Sequence, residues 1–293
     1  MTMTTHGQTP QHENEDVSMQ AFYSCPPTER IQEQCAAIDE LKARIDGQKP
    51  LDPSLWKSIQ NKLRISWTYD SNAIEGSTLT RNETAFFLEE GLTVAGRPLK
   101  DFLDAKNHAA AIDWLYEVID AGRPVGERFV KDINALLLDG VSSTRARTPD
   151  GHIIDKDLHP GQYKRLPNHV LRHDGSIHHY VDPLQVQPQM RALFEWAGRS
   201  QYHPGVVAAI AHFNFVRIHP FDDGNGRGAR ILMNTLLIKS GHVPAVVRVE
   251  DRQPYLAHLE TADRGDLAGF VGFILDSLRQ TQQVIAADLG APS

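Results

Sequence analysis

The chain has 293 residues, with 41% apolar and 23% charged content, both ordinary for a globular protein with a full hydrophobic core. Its formal net charge of −7 argues against a non-specific nucleic-acid binder, which needs a basic face, but leaves room for a local phosphate site. Cys25 and Cys35 have neither metal-site spacing nor a disulfide framework, so they read as thiols of a reducing cytosol and the expected location is cytoplasmic. No apolar run approaches the roughly 18 residues that a bilayer span requires. The polar start MTMTTHGQTPQHENEDVSMQ lacks the apolar core of a secretory signal, and residues 1–27 are expected to form a flexible tail.

Thr28 is placed to cap a helix with Ile31, Cys35, Ile38, Leu41 and Ile45 on one stripe, closed by Gly47. Asp52-Pro53 starts a second helix by the cap-then-proline rule, with Leu55, Ile59 and Leu63 inward. A short segment, Ser71 to Gly76, follows. Thr80 and Glu83 then form a capping box for a helix that ends at Gly91. Residues 101–121 are amphipathic, with Phe102, Ala105, Ala109, Ile112 and Ile119 on the inner face. A helix from Glu127 to Leu138 gives way to an irregular stretch reaching Pro160. Tyr163, Val170, Leu171, Ile177, Tyr180 and Val181 flank Asp174-Gly175, which signals a hairpin. Helices resume over about 184–198, 204–218, 226–240, 252–263 and 266–281. The expected fold class is all-α, a helical bundle with one small β-hairpin.

The run His219 to Arg230, HPFDDGNGRGAR, concentrates three kinds of chemistry. His219 offers a proton acceptor near neutral pH. Asp222 and Asp223 offer hard oxygen ligands of the kind Mg²⁺ takes. Gly224, Asn225 and Gly226 open a helix whose exposed N–H groups make an anion site, and Arg227 and Arg230 lie on one face of its start.

This run resembles the signature of Fic-domain proteins, HPF-x-[DE]-G-N-G-R-x-x-R, at every specified position. The resemblance extends over about residues 65–280. It implies a Fic fold with a Fic domain at 124–280, the N-terminal helices lying outside it; a helical region is expected at 28–122 and a C-terminal tail at 281–293. It implies transfer of AMP from ATP to a Ser, Thr or Tyr hydroxyl of a target protein, with ATP as substrate and Mg²⁺ as cofactor. His219 is then the catalytic base and Asp223 the metal ligand. Gly224, Asn225 and Gly226 hold the α- and β-phosphates, Arg227 the β-phosphate and Arg230 the γ-phosphate. Asp263 falls where animal-type members use an Asn against the adenine. Asp222, at the variable position, is expected to be solvated, and Phe221 to anchor the loop in the core. His212, on the preceding helix, reads as a buried structural histidine. The hairpin of 161–181 resembles the family's flap, whose strand edge can receive a target segment. His169, His173, His178 and His179 cluster there, but without a helical pair or a Cys partner they are not counted as a metal site.

Ser71-x-x-x-Glu75-Gly76 is similar to the family's inhibitory motif, [ST]-x-x-x-E-[GN], lying N-terminal to the domain as in class II members. Ser71 and Glu75 share a helix face, and Glu75 is expected to pair bidentately with Arg230 in the place of the γ-phosphate. The same site could instead remove AMP, with Glu75 aligning water, or serve a catalytically silent partner-binding protein. The partners expected are ATP and a target protein docking on the flap, with no nucleic acid and no membrane; a homodimer is compatible with the sequence.

Overall fold

The computed structural model describes residues 21–147, 151–171 and 175–290. Ten α-helices are found among them: α1 (Glu29–Asp46), α2 (Pro53–Ile74), α3 (Arg81–Glu90), α4 (Leu99–Asp120), α5 (Glu127–Leu137), α6 (Pro183–Arg199), α7 (Pro204–Ile218), α8 (Asn225–Lys239), α9 (Arg252–Ala262) and α10 (Ala268–Asp288). Two antiparallel pairs, β1 (Ser143–Arg147) with β2 (Ile153–Asp157) and β3 (Val170–Leu171) with β4 (Ile177–His178), and a short 3-10 turn at Val249–Asp251 complete the elements. The all-α expectation holds, with 64% of the chain helical.

Local chemistry starts the helices where the sequence places the starts. The Thr28 hydroxyl accepts from the Ile31 N–H, and the Asp52 carboxylate accepts from Ser54 and Leu55 ahead of Pro53. Thr80 and Glu83 close a reciprocal capping box. Each such cap satisfies N–H groups that the helix itself leaves unpaired.

The centre of the molecule is the α7–α8 pair. Nearly every residue of α7 is buried, because it separates two apolar clusters. Ala209, Ile210 and Phe213 face one cluster with Phe270, Ile274 and Leu278 of α10. Ala211, Phe215 and Ile218 face the other with Leu115 of α4, Ile133 of α5 and Met190 of α6. The connection between α7 and α8 is the run from His219 to Gly224. The motif is therefore fixed at both ends by the most deeply buried helices of the chain.

Four expectations are corrected. The irregular stretch before Pro160 contains the β1–β2 hairpin, in the register Ser143↔Asp157 to Arg147↔Ile153. Ser71 to Glu75 is no separate piece but the end of the 22-residue α2, whose C-cap is Glu75. The tail expected over 281–293 is helical to Asp288, with Ile285 and Ala286 buried. At the other end, Cys25 is 2% exposed and the Phe22 carbonyl accepts from Asn214, so packed structure begins well before residue 28. Residues 1–20 of the expected tail, and the Asp174 turn with His173, lie outside the described residues.

Candidate active site

His219 ends α7 in the left-handed region (φ 51, ψ 60), the only non-glycine residue with positive φ among the described residues. This conformation costs on the order of 1–3 kcal/mol away from glycine, and such costs gather where a side chain must be aimed. The backbone N–H still closes the helix on Phe215 O (2.9 Å), while the ring leaves the helix face. Nδ1 lies 3.3 Å from Val216 O. A carbonyl only accepts, so Nδ1 carries the proton and Nε2 keeps its lone pair. Burial, reinforced by the nearby Lys164 charge, pushes the imidazole pKa down to about 3, so the ring is neutral at physiological pH.

The flap packs on this residue. Tyr180 stacks on the His219 ring, with centroids 3.7 Å apart and planes at 17°. Lys164, only 3% exposed, donates from its backbone N–H to Pro220 O (2.8 Å) and from Nζ to Asn168 Oδ1 (2.8 Å) and Ile218 O (3.3 Å). Asn168 in turn donates to Phe221 O at 2.8 Å. Asn134 of α5 accepts from Gly161 N–H and donates to Asp223 O, both at 2.9 Å, joining the base of the flap to the motif loop. None of these loop-holding residues stands out in the sequence, because most of their contacts join segments 27 or more residues apart.

Gly224 enters α8 with φ 76, and no side chain caps that helix. Its first N–H groups are left to an anion, as a phosphate site requires. The Asn225 side chain is spent otherwise than expected: Oδ1 accepts from Phe221 N–H (2.9 Å) and Nδ2 donates to Phe221 O (2.8 Å). It locks the loop against the start of α8. Arg227 is 4% exposed, and its Nη1 pairs with Asp104 Oδ1 of α4 at 2.6 Å. Its Nε has no hydrogen-bond partner, so the guanidinium is anchored on one side with donor capacity left over. Arg230 is 2% exposed and more heavily committed. It donates from Nε to Ser71 Oγ (2.9 Å), and from Nη2 to Ser71 O (2.9 Å) and Glu75 Oε1 (2.7 Å). Glu75 therefore pairs through one oxygen rather than two, since Ser71 takes Nε and shares Nη2 while Nη1 donates to the Tyr255 hydroxyl (3.5 Å). Burial would raise the Glu75 pKa, but Arg230 outweighs it and holds the carboxyl below its usual range. A Cβ added at Gly226 would lie 2.3 Å from Glu75 Oε1, so the carboxylate rests directly on the helix entrance.

Asp223 accepts from Gly224 N–H through Oδ1 (2.6 Å), which leaves its second carboxylate oxygen as a hard donor suited to Mg²⁺. Asp222 is not solvated as expected. Lys156 (2.8 Å) and His159 (3.1 Å) pair with it, from β2 and just beyond, and its side chain is 6% exposed. Burial alone would raise its pKa, but these partners hold it lowered. His212 is wholly buried with Nε2 3.1 Å from the Tyr255 hydroxyl, a structural histidine as read from the sequence. Asp263 follows α9 and faces the flap, 3.8 Å from His178 Nε2. Among the described residues the only group of three metal-type side chains is Asp39, His203 and His242, away from the motif. There His203 Nδ1 accepts from Gly205 N–H, so its proton sits on Nε2 toward Asp39, and the group reads as a helix cap.

Comparison with known proteins adds an independent line. Residues 124–237 match the Fic/DOC family model. A protein adenylyltransferase Fic of Nematostella vectensis is 31% identical over 76% of this chain and 48% of its own length. One of Aedes aegypti is 30% identical over 77% of this chain and 42% of its own length. The chain thus spans about half the length, or less, of these curated relatives. Among solved structures, a Fic-domain-containing signalling protein of Bacteroides thetaiotaomicron superposes with a TM-score of 0.77 at 28% identity, covering 88% of this chain and 98% of that one. Fic-1 of C. elegans, at 22% identity and a TM-score of 0.72, shares the fold. A helical bundle that carries the complete motif at the junction of its two central helices, and matches the family there in sequence and structure, contains a Fic/DOC domain over residues 124–237.

Proposed function

We propose that the chain is a protein adenylyltransferase that moves AMP from ATP to a Ser, Thr or Tyr hydroxyl of a target protein, restrained by Glu75 as in class II members. In this reading His219 Nε2 takes the hydroxyl proton as the oxygen attacks the α-phosphorus. An O–P bond to the target forms, the α–β phosphoanhydride bond breaks, and pyrophosphate leaves. General-base assistance of this kind contributes roughly 10²–10⁴-fold. The free amides at the start of α8, Gly226 among them, hold the α- and β-phosphates, and Gly224 turns the chain into them. Arg227 steadies the β-phosphate from its anchor on Asp104. Asp223 would hold Mg²⁺, which neutralises phosphate charge when bound. The nucleotide's adenine is assigned to the region of Asp263, and a target segment to the flap edge. The domain division into 28–122 and 124–280, and a cytoplasmic setting for the free thiols Cys25 and Cys35, belong to the same reading.

The observation that carries it is the Glu75–Arg230 contact of 2.7 Å, which joins residues 155 apart at the entrance of the phosphate cradle. An arginine aimed at an anion site but occupied by a tethered carboxylate is the arrangement an inhibited nucleotide enzyme needs. Incubation of wild type and Glu75→Gly with α-labelled ATP tests it. Label on protein that rises in Glu75→Gly is expected. Release of AMP from a modified protein, with no labelling by either form, would assign the site to removal instead.

A further inference from the structure

We propose that Tyr180 is the positioning residue of the base: stacked on His219, it holds the imidazole in the one plane from which Nε2 can meet an incoming hydroxyl. The proposal rests on the adenylyltransferase reading. The rings are 3.7 Å apart and nearly parallel, so the phenol covers one face of the imidazole. The Nε2 lone pair lies in the ring plane and is left open by a partner on the face. Without the stack, the only hydrogen bond to the imidazole among the described residues is Nδ1–H to Val216 O at 3.3 Å. One long bond leaves the ring free to rock, because the terminal torsion of histidine is broad. A flat neighbour on the face removes that freedom and excludes water from it.

Tyr180 can do this because it is held itself. His178 meets its ring edge-on at 4.5 Å and 79°. The Lys164 ammonium lies 5.8 Å from its centroid, within reach of a cation–π contact. Its backbone N–H donates to His169 Nδ1 at 3.3 Å. His178 also reaches Asp263 beyond α9, so the support of the base runs from the end of that helix through the flap. The contact that matters is the phenol body, which a phenylalanine supplies equally. Tyr180 itself touches neither nucleotide nor phosphorus in this account, and it acts through His219.

Two measurements test it: steady-state AMP transfer in the Glu75→Gly background, and the NMR shift of the His219 ring protons, assigned with His219→Ala. In Tyr180→Ala, kcat is expected to fall about 10- to 100-fold, the cost of a loosely placed catalytic group, with KM for ATP little changed. The His219 protons lose the upfield displacement of the stack. Tyr180→Phe is expected to restore both. Unchanged kcat with an unchanged shift would overturn the proposal, as would a loss confined to KM for ATP or a Tyr180→Phe variant as impaired as Tyr180→Ala. If Glu75→Gly transfers nothing, the adenylyltransferase reading has failed. The ring shift in wild type against Tyr180→Ala then decides alone whether the stack orders His219, and an unmoved shift overturns it.

Discussion

On the nucleotide side of the motif, Arg230 is 2% exposed and is gripped by Ser71 and Glu75 at the end of a 22-residue helix. On the flap side, β3 and β4 are two residues long, and Val170 and Ile177 are 47% and 55% exposed. One wall is a buried arginine held by rigid elements and met by a carboxylate that is 44% exposed, and the other is made of short strands with apolar groups facing water. A buried arginine tolerates little change around it, since removing its partner strands the charge. Exposed strand edges tolerate much and can pair with many segments. The difference fits the proposed function, in which the nucleotide is constant and the protein target is variable.

Substitutions can break that contrast at graded cost. The largest effect is expected for His219→Ala, which should lower transfer by at least about 10²-fold, the usual share of a general base, while nucleotide binding persists. Near-normal turnover would remove His219 from its role. Arg230→Ala should be inactive with or without Glu75→Gly, because the γ-phosphate then has no anchor; rescue in the double variant would contradict the shared use of Arg230. Glu75→Gly alone should raise automodification and lower the melting temperature by a few degrees, about 2–4 °C for each kcal/mol lost in a chain of this size. Mg-ATP should recover part of that loss by supplying charge to Arg230.

Acid should act on the interior before the flap. His108 and His212 are wholly buried, and burial holds both rings neutral, His212 down to about 3 and His108 well below the ordinary value. Unfolding frees them to protonate near 6.5, so the unfolded chain binds more protons between about pH 6.5 and 3. Stability is therefore full above pH 6.5 and falls progressively as pH drops toward 3. A chemical-denaturation midpoint that does not move between pH 7 and 5 would refute the neutral assignment. The smallest effect belongs to the flap: Ile177→Asp should weaken modification of a protein target severalfold while leaving automodification and melting temperature near wild type. Equal loss of both activities would mean that the flap edge is not where targets dock.

What the sequence made legible was local. Thr28, Asp52 and the Thr80–Glu83 box announce helix starts because a cap acts within three residues, and the structure honours all three. The motif was legible because six of its chemical groups sit within twelve residues. The β1–β2 hairpin was not, since β2 is almost wholly exposed and carries no apolar alternation against a core. The end of α2 was read as a separate piece because Asp70, Ser71 and Asn72 look like a break. They are buried, and tertiary packing overrides their weak helix preference. Asp104 under Arg227, Asn134 under Asp223 and Tyr180 over His219 leave no trace in spacing, because they meet only when distant elements pack.

The 2.3 Å between a hypothetical Gly226 side chain and Glu75 Oε1 has one more consequence. A carboxylate and a phosphate cannot share that space, so Glu75 behaves as a ligand tied to its own binding site. Its hold on Arg230 is then an effective concentration, set by how stiffly α2 presents it rather than by how much of anything is dissolved around it. On the proposed function, ATP in solution competes against that fixed value for the γ-phosphate position. Any event that loosens the end of α2 by a fraction of a turn lowers the effective concentration and hands the arginine to the nucleotide, without altering a single residue that touches it.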